Sequence, residues 1–242
     1  MGYLRAPSFL YLCRYNANQV SKAELKAEKE KFTRSLVIPF QFVLLLWVVK
    51  YIEWISGSDF YQLGVYPRTF SGLIGILTAP LVHANLNHLI DNSLPLFLLL
   101  SAIFYFYREV AMKVFLLSYL FSGFWTWLGA RAAYHIGASG LIYSFAAFLF
   151  FSGIIRKYPR LIAISLVVVF LYGGLIWGLF PLDPGISFES HIYGSVAGVL
   201  LAFYYKGYGP QPEVRDWETE DVEDDQDLPW DDPRYQDDEK QL

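Results

Sequence analysis

Two long stretches of the chain, Ala132–Ile155 and Leu161–Leu182, contain no Asp, Glu, Lys or Arg. As helices, each is long enough to cross the ~30 Å hydrocarbon layer of a bilayer. Hydrophobic residues make up 55% of the 242 residues and aromatic residues 19%, above the usual globular share, so part of the apolar surface requires a medium other than a soluble core. Charged residues and turn formers divide the middle of the chain into six predicted spans, at about 35–55, 86–107, 112–131, 138–155, 161–181 and 190–206. The expected fold is an all-α polytopic membrane bundle. No internal repeat is visible, so the inverted-repeat plan of many transporters gains no support.

Charge separates three segments. Residues 1–34 hold seven Lys/Arg against three Asp/Glu, residues 35–206 nine against six, and residues 207–242 three against fourteen. The last segment carries too little apolar side chain to offset its ordering entropy and is expected to be a disordered, acidic tail. The first, particularly SKAELKAEKEKFTR, has the mixed charge and spacing of a short helix at a membrane surface. The single cysteine, Cys13, excludes an internal disulfide. The N-terminus lacks the basic–apolar–small order of a cleavable signal, leaving targeting to the first span.

Lys and Arg near the span ends set the expected direction. With the N-terminus in the cytoplasm, the inner connections carry Arg108, Lys113, Arg156, Lys157, Arg160 and Lys206 as well as the basic head. The outer connections carry only Arg68 and Arg131. Six crossings then return the tail to the cytoplasm, and the second, fourth and sixth spans all run from outside to inside. His88 and Asn92, Ser139, and His191 fall near the starts of these three spans, at one depth in the outer part of the membrane. Polar groups at such depth line a cavity or bond one another.

Ser139 sits in GASG at the head of an apolar segment. By itself it reads as a packing serine. Gly137 and Gly140 leave the backbone around it open, however, and a helix N-terminus favours developing negative charge. A serine hydroxyl needs a base to become a nucleophile, and His191 is a candidate. His191, Gly194 and Gly198 share one helical face, and Gly140, Ser144 and Ala147 form a small face on the fourth span. If these faces meet, Ser139 and His191 meet too. Tyr143, one turn below Ser139, is placed to pack on the histidine ring, though a plain core aromatic is the simpler reading. His88 and Asn92, four apart, offer donors for an oxyanion, or else an interhelical hydrogen-bonding pair. A metal site built on His83 and His88 is disfavoured by their five-residue spacing and by the lack of accompanying carboxylates or cysteines. Asp91 has no role in this pattern.

Taken together, His83 and His88 with Asn92, GASG with Tyr143, and His191-x-x-Gly194-x-x-x-Gly198 resemble the rhomboid family of intramembrane serine proteases in order and spacing. The resemblance covers residues 35–206 and implies a six-helix rhomboid-like bundle. It implies Ser139 as nucleophile, His191 as general base, His88 and Asn92 as oxyanion donors, and Tyr143 beside the base. His83 resembles the histidine that helps water reach the site, and His135 is a loop histidine outside the motif. Two features depart from the family. The first outer loop has GVYPRTF where many rhomboids have Trp-Arg, with Arg68 only a loose match, and Glu109 lacks the glycine-rich setting of the family's glutamate.

The implied reaction is hydrolysis of single-pass membrane proteins near the outer face, with no cofactor and no metal, in a bacterial plasma membrane with both termini cytoplasmic. Membrane lipids and transmembrane substrates are the expected partners, nucleic acid is not, and the sequence specifies no oligomeric state. The first outer loop, Ser56–Pro80, is expected to lie partly in the outer leaflet, and PLDPGISFES before the last span to control access. The rival readings are a non-catalytic rhomboid-like binder of membrane helices and a small transporter.

Overall fold

A computed structural model of the protein describes residues 22–171, 174–182 and 185–210. The acidic tail beyond residue 210, most of the basic head and Cys13 lie outside the described residues. All regular structure among those described is helical. The one β-type pairing there is an isolated antiparallel bridge between Val65 and His135. The helices are α1 (Lys22–Ser56), a short α2 (Gly75–Thr78), α3 (Leu86–Phe106), α4 (Ala111–Gly129), α5 (Ser139–Ile155), α6 (Pro159–Leu171), a short α7 (Gly174–Trp177) and α8 (Phe188–Tyr204).

Three of them, α1 from Glu24 onward, α3 and α4, are long and apolar enough to cross a membrane by length and composition. The helices in the two longest uncharged runs are shorter. Within the run at Leu161–Leu182 helix is described over α6 to Leu171 and over α7 to Trp177, and residues 178–182 form turns and a bend rather than helix. At the other end of the chain, the described part of the charged head is not a separate surface helix. From Lys22 it runs without a break through Pro39 into the apolar part of α1. Lys31 with Glu28 and Arg34 with Glu30 form ion pairs along this charged turn, and Tyr105 at the end of α3 donates to Glu28.

The bundle is built around α5, the helix with the fewest exposed side chains. Phe145, Phe148 and Leu149 are fully buried against Leu96, Leu99, Leu100 and Ile103 of α3. Polar ties between helices are few and short. Ser144 donates to Ser118 of α4 at 2.8 Å, and Trp47 of α1 donates to Ser93 of α3 at 3.1 Å. Outside this core Phe40, Leu44, Trp54, Leu94, Leu116 and Phe170 stand exposed, a belt that a protein in water rarely leaves uncovered.

The most extensive helix contact is between α5 and α8, and glycines make it. An added Cβ at Gly194 would collide with the Gly140 carbonyl, and one at Gly198 with the Ser144 carbonyl, while lying 2.9 Å from the Phe148 nitrogen. The small face of α5 is therefore Gly140, Ser144 and the backbone at Phe148. Ala147, expected on that face, lines an apolar groove with Ser165 of α6 and Ser195 of α8.

At the opposite end of the same pair, Arg156, expected among the inner-loop charges, is buried instead. It donates to the carbonyls of Tyr205, Lys206 and Pro210 at 3.1, 2.7 and 3.2 Å and lies over the Tyr107 ring. A cation on the last carbonyls of a helix satisfies their lone pairs and the helix dipole. Arg156→Gln is expected to lower stability by about 2–3 kcal/mol, because buried carbonyls lose charged donors. A fall in melting temperature in detergent measures this, and an unchanged melt would count against the cap.

The segment between α1 and α3 is a series of short helical turns docked on α4 rather than a free loop. Arg68, at positive φ, donates its amide to the Trp127 carbonyl at 2.9 Å, and Trp127 returns its indole N–H to the Thr69 carbonyl at 2.8 Å. Tyr119 donates to the Leu77 carbonyl at 2.5 Å. Phe70 projects outward almost fully exposed.

Candidate active site

The α5–α8 seam decides the position of two side chains. Ser139 is the first residue of α5 and His191 lies in the first turn of α8, one helical turn before Gly194. With the backbones in contact at Gly140 and Gly194, Ser139 Oγ and His191 Nε2 come to 2.7 Å. The other ring nitrogen, Nδ1, donates to the Gly178 carbonyl at 2.8 Å. That bond fixes the tautomer: Nδ1 carries the hydrogen and Nε2 presents its lone pair to the serine hydroxyl. Tyr143 stacks on the imidazole with ring centroids 4.2 Å apart and planes 14° from parallel, which fixes the ring plane as well.

The loop before Ser139 is held from three sides. Gly137 has φ +101°, a conformation open to glycine at little cost. A Cβ there would also lie 2.7 Å from His88 Cε1 and 2.8 Å from Nε2, so the glycine lets the His88 ring lie against the loop. The Gly137 amide donates to the Ala79 carbonyl at 2.9 Å. The Ala138 amide, next to Ser139, points at His83 Nε2 at 3.4 Å.

His88 and Asn92 both come from the N-terminal end of α3. Asn85 caps this helix, accepting the His88 amide at 2.9 Å, as N-cap asparagines do. One Asn92 amide hydrogen goes to the His88 carbonyl at 2.9 Å, which leaves its second hydrogen for another acceptor. His88, Asn92, Ser139, Tyr143 and His191 all line one cavity of about 660 Å³.

His83 does not line it. Its side chain is fully buried, packs edge-on to His88 at 5.0 Å, and leaves Nδ1 without a partner among the described residues. Burial above all pushes its imidazole down to about 3, so the ring is neutral. Its geometry is that of a prop under the serine loop. Among the described residues no group of three His, Cys, Asp or Glu is placed to hold a metal ion.

Several residues of the site went unread in the sequence. Lys50 donates to Glu53 at 2.6 Å and to the His83 carbonyl at 2.8 Å, and Glu53 accepts the Phe60 amide at 3.2 Å. This pair ties α1 to the turn that carries His83. Its signal was available: Lys50 and Glu53 are the only charges between residues 35 and 56, and an isolated pair in an apolar run has a partner to find. Arg131 binds both oxygens of Glu189, at 3.3 and 3.1 Å, and the Ile186 carbonyl at 2.8 Å. His135 is in a loop, as read, but is not idle: its Nδ1 meets the Ser187 hydroxyl and its Nε2 the Arg131 carbonyl at 3.1 Å. These contacts join the segment before α5 to the start of α8 along the cavity edge. Of PLDPGISFES, residues 183 and 184 lie outside the described residues, while Gly185, Ile186 and Ser187 line the cavity.

Residues 71–208 match the rhomboid domain. The chain belongs to the rhomboid family. The matched region holds every residue of the site described above except Lys50, Glu53 and Phe60. Among similar proteins are uncharacterized proteins of Mycobacterium tuberculosis and Mycobacterium bovis, each 37% identical over 176 residues, covering 67% of this chain and 71% of theirs. An uncharacterized protein of Mycobacterium leprae is 32% identical over 176 residues, covering 67% of this chain and 68% of its own. A rhomboid domain with these apolar helices is an integral membrane protein of a family whose usual activity is intramembrane serine proteolysis.

Proposed function

We propose that this rhomboid is an active intramembrane serine endopeptidase working through a Ser139–His191 dyad. The observation that carries the reading is the 2.7 Å contact between Ser139 Oγ and His191 Nε2, with Nδ1 engaged by the Gly178 carbonyl. His191 takes the hydroxyl proton as Oγ attacks the scissile carbonyl, and returns it to the leaving amine as the peptide bond breaks. Water then adds to the acyl-enzyme by the same proton path and releases the second product. The Ser139 amide, at an uncapped helix start, joins His88 and Asn92 as donors to the oxyanion. His88→Ala and Asn92→Ala are each expected to lower kcat on the order of 10²–10³-fold with little change in KM, because these bonds strengthen only as charge develops. Steady-state cleavage of one reporter by the two variants checks this, and losses confined to KM would remove the oxyanion role.

The proposed topology has six crossings, by α1, α3, α4, α5, α6 with α7, and α8, with both termini in the cytoplasm of a bacterial plasma membrane. The Lys/Arg distribution and the mycobacterial relatives support it. Substrates are single-pass membrane proteins opened near the outer face at a small residue. The first test is labelling of the purified protein by a serine-directed fluorophosphonate, together with cleavage of a generic transmembrane reporter in detergent. Labelling at Ser139 with cleavage supports the reading. Absence of both across several reporters favours the non-catalytic helix binder, and solute flux across vesicles indifferent to Ser139→Ala favours the transporter.

A further inference from the structure

Among the described residues the cavity wall carries one arginine and one aspartate, Arg131 and Asp91. They differ in one respect. Arg131 is neutralised by Glu189 and bonded to the Ile186 carbonyl. Asp91 makes no hydrogen bond or ion pair among the described residues; its field falls on His88, three residues earlier on the same helix. Among the described residues, the cavity that holds Ser139 therefore carries one carboxylate without a charged partner, Asp91.

The place of Asp91 on α3 gives that charge a direction. His88, Asn92 and Pro95 face the cavity, while Ile90, Leu94 and Leu98 stand exposed among the apolar side chains of the outer belt. Asp91 falls between the two faces, since residues three and four apart share a side of a helix. The other flank of α3 is covered by α1 through Trp47 and Ser93. Asp91 thus marks the lip where the cavity meets the uncovered flank of α3. A membrane-borne chain that reaches Ser139 by this flank passes the carboxylate.

A carboxylate at membrane depth is costly unless it is hydrated or paired. When a peptide enters, part of its water is displaced, and a cationic side chain from the peptide restores the lost compensation. An acidic side chain in the same place meets like charge at reduced solvation, which discriminates more strongly than attraction does. Lysine and arginine suit the site also because their long stems lie along apolar surface while the charge reaches a polar rim.

We propose that Asp91 is a specificity-determining residue, selecting membrane substrates that carry Lys or Arg beside the scissile bond and disfavouring those with Asp or Glu there. This rests on the protease reading above. The test uses the purified full-length chain and single-pass reporters that differ only in having Lys, Gln or Glu at each position from four before to four after the cleaved bond. At one position or two neighbouring ones, kcat/KM for the Lys reporter exceeds that for the Glu reporter about fivefold or more, the scale of a partly exposed pair set against a repulsive one. The ratio falls to near unity in Asp91→Asn, reverses in Asp91→Lys, and shrinks for the parent protein at high salt. The ratio is internal to each variant, so a general loss of folding does not imitate it. The salt series on the parent needs no variant at all. A parent protein with no charge preference at any position, or a preference unchanged in Asp91→Asn, overturns the role of Asp91 and leaves the protease reading standing. No Ser139-dependent cleavage of any reporter overturns both.

Discussion

Cleavage of a transmembrane reporter is expected to fall by about 10⁴-fold or more in Ser139→Ala, and by a similar factor in His191→Ala, because the proposed nucleophile and base act as one unit. The double variant is expected to lose little more than either single one. The reason lies in the bond at 2.7 Å: without the base the hydroxyl keeps its proton, and without the hydroxyl the base has nothing to activate. Among the described residues no carboxylate bonds the imidazole of His191. The Gly178 carbonyl takes that place at 2.8 Å and Tyr143 holds the ring from the side at 4.2 Å. A neutral carbonyl stabilises an imidazolium less than a carboxylate does, so this arrangement leans on orientation. The variants separate orientation from charge. Tyr143→Phe retains the stacked ring and should retain most activity, whereas Tyr143→Ala should lose far more of it. Single-turnover cleavage and fluorophosphonate labelling of folded protein measure both comparisons. Ser139→Ala protein that still cleaves the reporter would refute the dyad.

What the sequence revealed of this arrangement depended on distance along the chain. Spacings of three, four and seven fix which side chains share a helical face, so His88 with Asn92 and His191 with Gly194 and Gly198 were readable without coordinates. The pairing of two distant helices was readable only because both carried glycines, which mark close backbone approach. Elsewhere that logic ran out. The Gly178 carbonyl is a backbone atom, and no side chain announces it. Lys50 reaches the His83 carbonyl across 33 residues, and nothing in the spacing names that partner. Arg156 looked like a loop cation because its composition is that of a loop, whereas the carbonyls it caps appear only once α8 is seen to end beside it. The same limit applies to the apolar run after Leu161. Hydropathy counts greasy residues, but the last described helix within that run stops at Trp177 and residues 178–182 are turns and a bend.

If glycine is what lets α5 and α8 touch, enlarging it should separate chemistry from folding in a graded way. At Gly194 an added Cβ would press on the Gly140 carbonyl and lie 3.2 Å from the Gly140 Cα, one residue past Ser139. The helices must part there, and His191 sits one turn away on the part that moves. A misplacement of about 1 Å at reacting groups is enough for losses on the order of 10²-fold. Gly194→Ala is therefore expected to lose labelling and cleavage to that degree while the strain costs about 1–3 kcal/mol of stability. Gly198 lies a further turn from the dyad, against the Ser144 carbonyl and the Phe148 nitrogen, in the most tightly buried stretch of α5. There a larger residue strikes backbone on two sides, so Gly198→Val should damage folding before it damages chemistry, with the lowest melting temperature of the set. Gly207, around which a Cβ meets nothing within 4 Å, supplies the comparison: Gly207→Ala should match the parent in both measurements. Equal losses at 194, 198 and 207 would mean that the seam does not set the dyad. A steep fall in labelling at 194, with melting falling most at 198, would tie the 2.7 Å contact to the backbone packing beneath it.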